Sequence, residues 1–197
     1  MAKWLFVITV LLVSGVSYYA IEKIGDESAL PYFGEEDHGL PDFSFTDQLG
    51  KEVTRKDLEG KVVIANYFFT SCPSICPKMT RNLQLIHDVV RQDENIVMLS
   101  LTVDPKRDTP ERLKKYASTY NVNHDSWHFL TGDKKLLYRM ARKGFLISAS
   151  DGGGDEYDFI HSENVVLLDQ EGKIRGFYVG TDAPNISDCL QDIKKLI

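Results

Sequence analysis

The stretch KVVIANYFFTSCPSICPKM, residues 61–79, joins a strand signal directly to two cysteines. Residues 62–69 form a continuous run of apolar, β-branched and aromatic side chains, which is typical of a strand covered on both faces. After the second cysteine, apolar residues recur at helical spacing to about residue 91. Cys72 and Cys76 are therefore predicted to lie where a buried strand gives way to a helix.

The next part of the chain repeats this strand and helix pattern. Residues 95–103 are again continuously apolar, and Thr109 and Pro110 favour a helix start, since threonine is a preferred N-cap and proline fits the first helical position. Strand, helix, strand and helix in this order predict a crossover unit with parallel strands.

The remaining segments complete the predicted fold. They are a hairpin at 43–54, a helix at 133–143 ended by Gly144, a second hairpin from NVVLLD and KIRGFYV, and a closing helix with apolar residues at Ile186, Cys189, Leu190, Ile193 and Ile197. The predicted fold class is α/β, with a mixed sheet flanked by helices in the thioredoxin-like layout.

Composition limits the classes of function. A chain of 197 residues is long enough for one globular domain and an appendage. The net charge of -6 provides no basic field to neutralise nucleic-acid phosphates. Three cysteines are too few for a scaffold built on disulfides, and an odd number leaves at least one thiol unpaired within the monomer.

The appendage is at the N-terminus. Residues 4–21, WLFVITVLLVSGVSYYAI, carry no charge, and as a helix rising about 1.5 Å per residue they nearly match a hydrocarbon core of roughly 30 Å. Lys3 precedes the run, so the positive-inside rule places the N-terminus in the cytoplasm. The alternative is a cleaved signal peptide whose apolar region is Leu5–Val13.

Three segments are predicted. Residues 1–21 are a transmembrane anchor or signal peptide, the acidic residues 22–40 are a tether broken by glycine and proline, and residues 41–197 are the thioredoxin-like domain. Under either interpretation of the first segment, the domain lies on the periplasmic, non-cytoplasmic side. A thiol-dependent role there needs a reducing partner.

The cysteine pair has three possible roles: a structural disulfide, a redox couple and a pair of metal ligands. Loops that follow a parallel strand and lead into a helix are where open α/β sheets place ligands, and a helix N-terminus favours thiolate. A disulfide between Cys72 and Cys76 closes so small a loop that it adds little stability. Three intervening residues, one more than in the common redox motif, weaken the redox role without removing it.

A metal site built on these two cysteines needs a third ligand. Soft thiolates select Cu(I), and one imidazole completes a three-coordinate site. His161 follows the glycine-rich loop DGGGDEYDF, which would let it approach the cysteines. His38 is interpreted as a tether residue that faces water, and His87 as a residue of the core helix. His124 and His128 are four apart, but His128 lies in WHFL, which is predicted to be a strand that enters the core.

The motifs together resemble a known family. FFTSCPSICPKM, LTVDPKRDTPERLKKYA and YDFIHSENVVLLDQEGKI, in this order and preceded by LPDFSFTDQLGKEVTRKDLEGK, are similar to the SCO/SenC family of copper-binding, membrane-tethered assembly factors for cytochrome c oxidase. The likeness covers roughly residues 40–180. It implies a thioredoxin-like fold with one N-terminal membrane helix and copper ligation by Cys72, Cys76 and His161.

The resemblance also implies a function. Family members deliver copper to the binuclear copper centre of an oxidase subunit, or reduce the cysteines of that subunit before metallation. The expected cofactor is Cu(I), with Cu(II) left open. The expected partner is a copper-receiving oxidase subunit or another copper chaperone.

One residue differs from the family pattern, and four others are interpreted separately. The family usually has an acidic residue where Ser74 stands, which bears on affinity and not on ligation. Asp104 ends the second buried strand and is expected to contact the site's ligands, or else only to shape the turn. Arg107 and Asp108 are predicted to be turn and cap residues. Cys189 is predicted to be a buried small hydrophobe outside the site.

Two other functions stay open. A membrane-anchored thiol-disulfide reductase needs Cys72 and Cys76 but not His161. A copper sensor or store uses all three residues without an oxidase partner. The favoured prediction is a metallochaperone and not an enzyme, and thiol-disulfide oxidoreductase activity stays open.

Overall fold

The computed structural model describes residues 4, 12–17, 30–35, 38–122, 124–147 and 162–197, and the chain divides into two units. In the first unit, Met1–Pro31, residues 4 and 12–17 are helical and exposed. Among the described residues, no helix combines the length and the apolar character needed to cross a membrane. The second unit is Tyr32–Ile197.

The second unit is built on a five-stranded sheet of order β5-β4-β3-β6-β7. Its strands are β3 (Val62–Phe68), β4 (Ile96–Thr102), β5 (Trp127–Leu130), β6 (Asn164–Leu168) and β7 (Ile174–Val179), and a separate hairpin pairs β1 (Ser44–Thr46) with β2 (Glu52–Thr54). Every residue of β3 and β4 is buried, as expected for strands covered on both faces. Both hairpins predicted from the sequence are present.

Helices connect the strands and cover both faces of the sheet. They are α1 (Ile75–Val90), α2 (Pro110–Ser118), α3 (Lys134–Arg139) and α4 (Ala183–Ile193). α1 and α2 join the parallel strands β3, β4 and β5, whereas β6 and β7 are antiparallel. The mixed α/β sheet flanked by helices is confirmed.

Side chains alternate between the two faces along β3. Val63, Ala65 and Tyr67 pack with residues of the β1–β2 hairpin and α3 in one apolar cluster. On the other face, the Asn66 side chain meets Met79 of α1, and the ring of Phe68 packs on Tyr116 of α2. The central strand thus contributes to two cores.

The predicted helix at 133–143 divides into two parts. α3 ends at Arg139, and Met140–Gly144 continues as one π-helical turn. Its wider hydrogen bond runs from the Phe145 N–H to the Met140 carbonyl, five residues earlier, at 2.9 Å. Apolar periodicity does not distinguish such a turn from an α-helix.

The globular unit begins earlier than the predicted boundary at residue 41. The Phe33 N–H donates to the Ile174 carbonyl at 2.9 Å, and the Phe33 ring meets Phe177 edge to face. His38, expected to face water, is half-buried with its Nε2 3.0 Å from the Gly144 carbonyl oxygen. That expectation was wrong because the His38 ring contacts the Gly144 carbonyl and the His38 carbonyl accepts a hydrogen bond from Lys173.

Several chain segments near the two cysteines meet at one edge of the sheet. Phe68 pairs with Thr102, so the carboxyl ends of β3 and β4 lie side by side. Because β6 runs antiparallel to β3, with Asn66 opposite Val165, β6 begins at this same edge. α1 also begins there, directly after the loop that follows β3. We call this the carboxyl edge.

Candidate metal centre

The two cysteines of the opening stretch lie together at the carboxyl edge. Both are buried free thiols, Cys72 in the loop after β3 and Cys76 in the first turn of α1. The Cys76 backbone N–H donates to Cys72 Sγ at 3.4 Å. A turn closed by the Cys72 N–H on the Phe69 carbonyl, at 3.2 Å, presents Cys72 to the helix.

The local sequence explains why a helix can begin between the cysteines. Ser74 is the N-cap residue and Pro77 falls in the first turn of α1, where a missing backbone N–H removes no intrahelical hydrogen bond. The N–H groups that a helix start leaves unbonded are available to a nearby anion. Here the Cys72 sulfur lies in front of them.

This arrangement shifts the pKa of Cys72. Burial raises it, but hydrogen bonds from the backbone of Ser74, Cys76 and Ile75, together with the Cys76 thiol, have the larger combined effect. The pKa of Cys72 therefore lies below that of an ordinary cysteine. A lower pKa means more thiolate, which is the form that binds metals and attacks disulfides.

Cys76 is shifted in the opposite direction. Its pKa is raised to about 12, mainly by burial and also by the Cys72 thiol and the charge of Asp108, while a backbone hydrogen bond from Phe69 acts to lower it. The pair therefore consists of one activated thiol and one that keeps its proton at neutral pH. A metal that binds both sulfurs must displace that proton.

The third predicted ligand, His161, lies outside the described residues, as does the glycine-rich loop before it. In the part of the chain that the structure describes, no three His, Cys, Asp or Glu residues are grouped to hold a metal ion. Two of the three predicted ligands are therefore brought together, and the third stays a prediction.

The four described histidines each have a contact elsewhere in the domain. His87 is fully buried against the ring of Trp127, as the core interpretation predicted. His124 Nδ1 lies 3.0 Å from Gln48 Nε2. His128 Nδ1 lies 3.2 Å from Asp47 Oδ2. His124 and His128 thus contact the turn between β1 and β2.

Asp104 shapes the turn that follows β4. Its carboxylate pairs with Arg107 Nη1 at 3.2 Å, and its N–H donates to Thr102 Oγ1 at 3.0 Å. Its carbonyl accepts the Asp108 N–H at 2.9 Å. These contacts match the turn-shaping interpretation, and the expected contact with the metal ligands stays a prediction.

Among the described residues, the carboxylate that bonds to the cysteine loop is Asp108. It was predicted to be a turn or cap residue, but Thr109 caps α2 and the Asp108 side chain is fully buried. Asp108 bonds instead to Thr70, two residues before Cys72. One signal was available: DPKRDTP contains an aspartate beside a helix start that the threonine already caps.

The donor set suits a soft metal ion. Thiolate sulfur is a soft ligand that selects Cu(I), whereas carboxylate and carbonyl oxygens suit harder ions. Between the cysteines stand only Pro73, Ser74 and Ile75, so no carboxylate lies within the loop. The described residues therefore fit Cu(I) better than a hard divalent cation.

Relatives of this chain are known. A sequence model of the SCO1/SenC family matches residues 34–197. The SCO1 protein homolog of Bacillus subtilis is 32% identical over 154 residues, which cover 77% of this chain and 79% of that protein.

Solved structures agree with the sequence match. BsSco, a member of the Sco family of cytochrome c oxidase assembly proteins in which a disulfide switch was identified, superposes with a TM-score of 0.70 at 29% identity, covering 84% of this chain and 96% of BsSco. Yeast Sco1 with copper bound superposes with a TM-score of 0.61 at 27% identity, covering 81% of this chain and 91% of the yeast chain. The fold, the thiol pair at the carboxyl edge and these matches lead to one conclusion: the chain belongs to the SCO1/SenC family.

Proposed function

We propose that this protein is a copper chaperone that binds Cu(I) through Cys72, Cys76 and His161. The observation that carries the proposal is the pair of buried free thiols at the start of α1, with Cys72 Sγ 3.4 Å from the Cys76 backbone nitrogen. Family membership and the copper bound to yeast Sco1 support it.

Chain topology supports His161 as the third ligand. β6 begins at the carboxyl edge, and His161 precedes its first residue, Asn164, by three positions. A neutral imidazole beside two thiolates gives Cu(I) the three-coordinate site that it favours.

The unequal thiols help release the metal. Copper leaves by ligand exchange: thiolates of the receiving protein replace the ligands one at a time, beginning with the neutral imidazole. Once Cys76 is free of metal, its pKa of about 12 means that it takes up a proton at neutral pH. Protonation opposes rebinding, so the proton helps to drive transfer.

The receiver that we propose is an oxidase subunit with a binuclear copper centre, or another copper chaperone. We also propose that residues 1–21 anchor the protein, so that the domain lies on the periplasmic side, joined by residues 22–40. Cell fractionation and protease accessibility of the full chain test this placement. Recovery in the cytosolic fraction would contradict it.

The first experiment is Cu(I) competition with a chromophoric chelator on the reduced protein. We expect one tightly bound Cu(I), with binding strongly weakened in Cys72→Ser, Cys76→Ser and His161→Ala. His124→Ala is the matched control, because His124 precedes β5 and contacts Gln48, away from the thiol pair. Binding that is weak and indifferent to His161 would contradict the proposal.

A thiol-disulfide reductase is the second candidate, favoured by the opposite pKa shifts of the two cysteines. The Cys72 thiolate attacks a partner disulfide and releases one partner thiolate. The Cys76 thiol then loses its proton and displaces the second, leaving a Cys72–Cys76 disulfide and a reduced partner. Cys76→Ser would trap the mixed disulfide, and His161→Ala would leave exchange unchanged.

A copper store or sensor would use the same three ligands as a chaperone. Incubation of the copper-loaded protein with a metal-free, reduced copper domain of an oxidase separates these functions. A chaperone transfers its Cu(I), whereas a store keeps it.

A further inference from the structure

Four side chains hold the first turn of the cysteine loop. Asp108, Thr70, Thr102 and Arg112, which we call the Asp108 cluster, come from the turn before α2, the loop after β3, the end of β4 and the first turns of α2. They meet at the carboxyl edge, because Phe68 and Thr102 are paired in the sheet. Asp108 is fully buried at their centre.

Both oxygens of Asp108 accept hydrogen bonds from Thr70. The Thr70 N–H donates to Oδ2 at 3.1 Å, and the Thr70 hydroxyl donates to Oδ1 at 2.5 Å. The Thr102 hydroxyl donates to Oδ2 at 2.5 Å. A buried carboxylate needs such partners, since an ionised group without them is costly to bury.

Arg112 completes the cluster from the solvent side. Its Nε donates to Thr70 Oγ1 at 2.7 Å and lies 3.8 Å from Asp108 Oδ1. The Thr70 hydroxyl therefore accepts from the guanidinium while it donates to the carboxylate. Hydrogen bonds in such a chain polarise and strengthen one another.

These bonds fix a residue inside the turn that presents Cys72. The turn is closed by the Cys72 N–H on the Phe69 carbonyl, so Thr70 and Ser71 are its central residues. With its N–H and its hydroxyl both held, Thr70 has little freedom. The same turn bonds through Phe69 to the Cys76 thiol, so its position affects both sulfurs.

Another buried carboxylate, Asp169, serves as a comparison for Asp108. Asp169 follows β6 at the opposite edge of the sheet, is nearly buried, and pairs with Arg175. Its Oδ1 accepts the N–H groups of Glu171 and Lys173, both within four residues of it. Asp169 therefore closes its own turn, whereas Asp108 reaches across 38 residues to the cysteine loop.

We propose that the Asp108 cluster positions the cysteine loop for copper, so that Asp108 and Thr70 are positioning residues of the metal site. The inference rests on the proposed function. Because the turn is already formed before the metal binds, binding does not carry the entropy cost of ordering the loop. Residues that orient metal ligands typically change metal affinity by about 10–100-fold when mutated.

The test compares matched variants of the full reduced protein. Thr70→Val keeps the shape but loses the hydroxyl, Thr70→Ser keeps the hydroxyl, and Asp108→Asn keeps the shape but loses one acceptor. Asp169→Asn is the control for loss of a buried carboxylate. Each is examined for Cu(I) affinity by chelator competition, for urea unfolding, and for hydrogen exchange of the Thr70 amide.

We expect Thr70→Val and Asp108→Asn to weaken Cu(I) binding by about 10–100-fold, and Thr70→Ser to recover most of the loss. Asp169→Asn should lower stability and leave the affinity unchanged. Wild-type affinity in folded Thr70→Val would overturn the proposal, and so would an equal loss of affinity in Asp169→Asn. If Asp108→Asn does not fold, the two Thr70 variants decide.

Hydrogen exchange separates this inference from the function on which it rests. Failure of the wild-type protein to bind Cu(I) would overturn the proposed function. The cluster would still be tested, since Asp108→Asn should expose the Thr70 amide to exchange at least tenfold faster while the amides of β3 stay protected. Unchanged exchange at Thr70 would overturn the positioning role.

Discussion

The backbone N–H of Cys76 donates to the sulfur of Cys72 at 3.4 Å, so the first turn of α1 is bonded to the thiol that precedes it. The bond favours thiolate at Cys72, whereas burial raises the pKa of Cys76 to about 12. Two cysteines four positions apart thus have opposite proton preferences. This difference leads to two of the predictions below.

Cu(I) affinity should rise with pH. The metal binds thiolates and Cys76 holds a proton in the free protein, so each binding event releases at least one proton, and affinity increases about tenfold per pH unit for each proton released. Chelator competition across about pH 6 to 8 measures the slope. An affinity that is flat or falls with pH would show that Cys76 is not a ligand.

Cys72 should react with iodoacetamide before Cys76 does, because only its pKa is lowered and the thiolate is the nucleophile. Peptide mass mapping after brief alkylation at neutral pH identifies the first site. Cys189 is the internal control: it is fully buried in α4, and burial raises its pKa. Modification of Cys76 ahead of Cys72 would contradict the assigned asymmetry.

Ser100→Ala should destabilise the domain by about 1–3 kcal/mol, because it leaves two buried polar groups without a partner. The Ser100 hydroxyl donates to Asn66 Oδ1 at 2.7 Å and accepts from Trp127 Nε1 at 2.9 Å. Urea unfolding measures the difference in the free energy of unfolding between Ser100→Ala and the wild type. Ser118→Ala is the matched control, since the Ser118 hydroxyl is exposed and bonds only within its helix. Equal losses of stability in Ser100→Ala and Ser118→Ala would show that the buried hydrogen bonds of Ser100 are not the cause.

Gly180→Ala should cost about 1–3 kcal/mol, the usual range for overpacking. A Cβ at Gly180 would lie 2.6 Å from Met79 Cγ and 2.9 Å from Val165 Cγ2, where α1 packs against the turn after β7. Gly39→Ala, which meets no atom within 4 Å, is the control. Thermal unfolding measures the stability of the Gly180→Ala and Gly39→Ala variants. A Gly180→Ala variant as stable as Gly39→Ala would show that the Met79 side chain can move aside.

The sequence predicts the sheet better than the contacts around the site. β3 and β4 are recognisable because buried parallel strands have continuous apolar runs, and the cysteines directly follow one of them. Asp108 was assigned to a cap because its long-range bonds to Thr70 leave no local pattern. Phe33 was included in a tether because its packing partner, Phe177, is far away in the sequence.

A single antiparallel bridge from an earlier part of the chain lies at each outer strand of the sheet. Phe33 bridges to Ile174 in β7, and Thr46 bridges to Thr131, directly after β5. Exposed strand edges invite pairing with other chains, which leads to aggregation or to recruitment of a partner strand. Each bridge occupies backbone groups of an outer strand or of the residue directly after it, so fewer of these groups are left to pair with another chain.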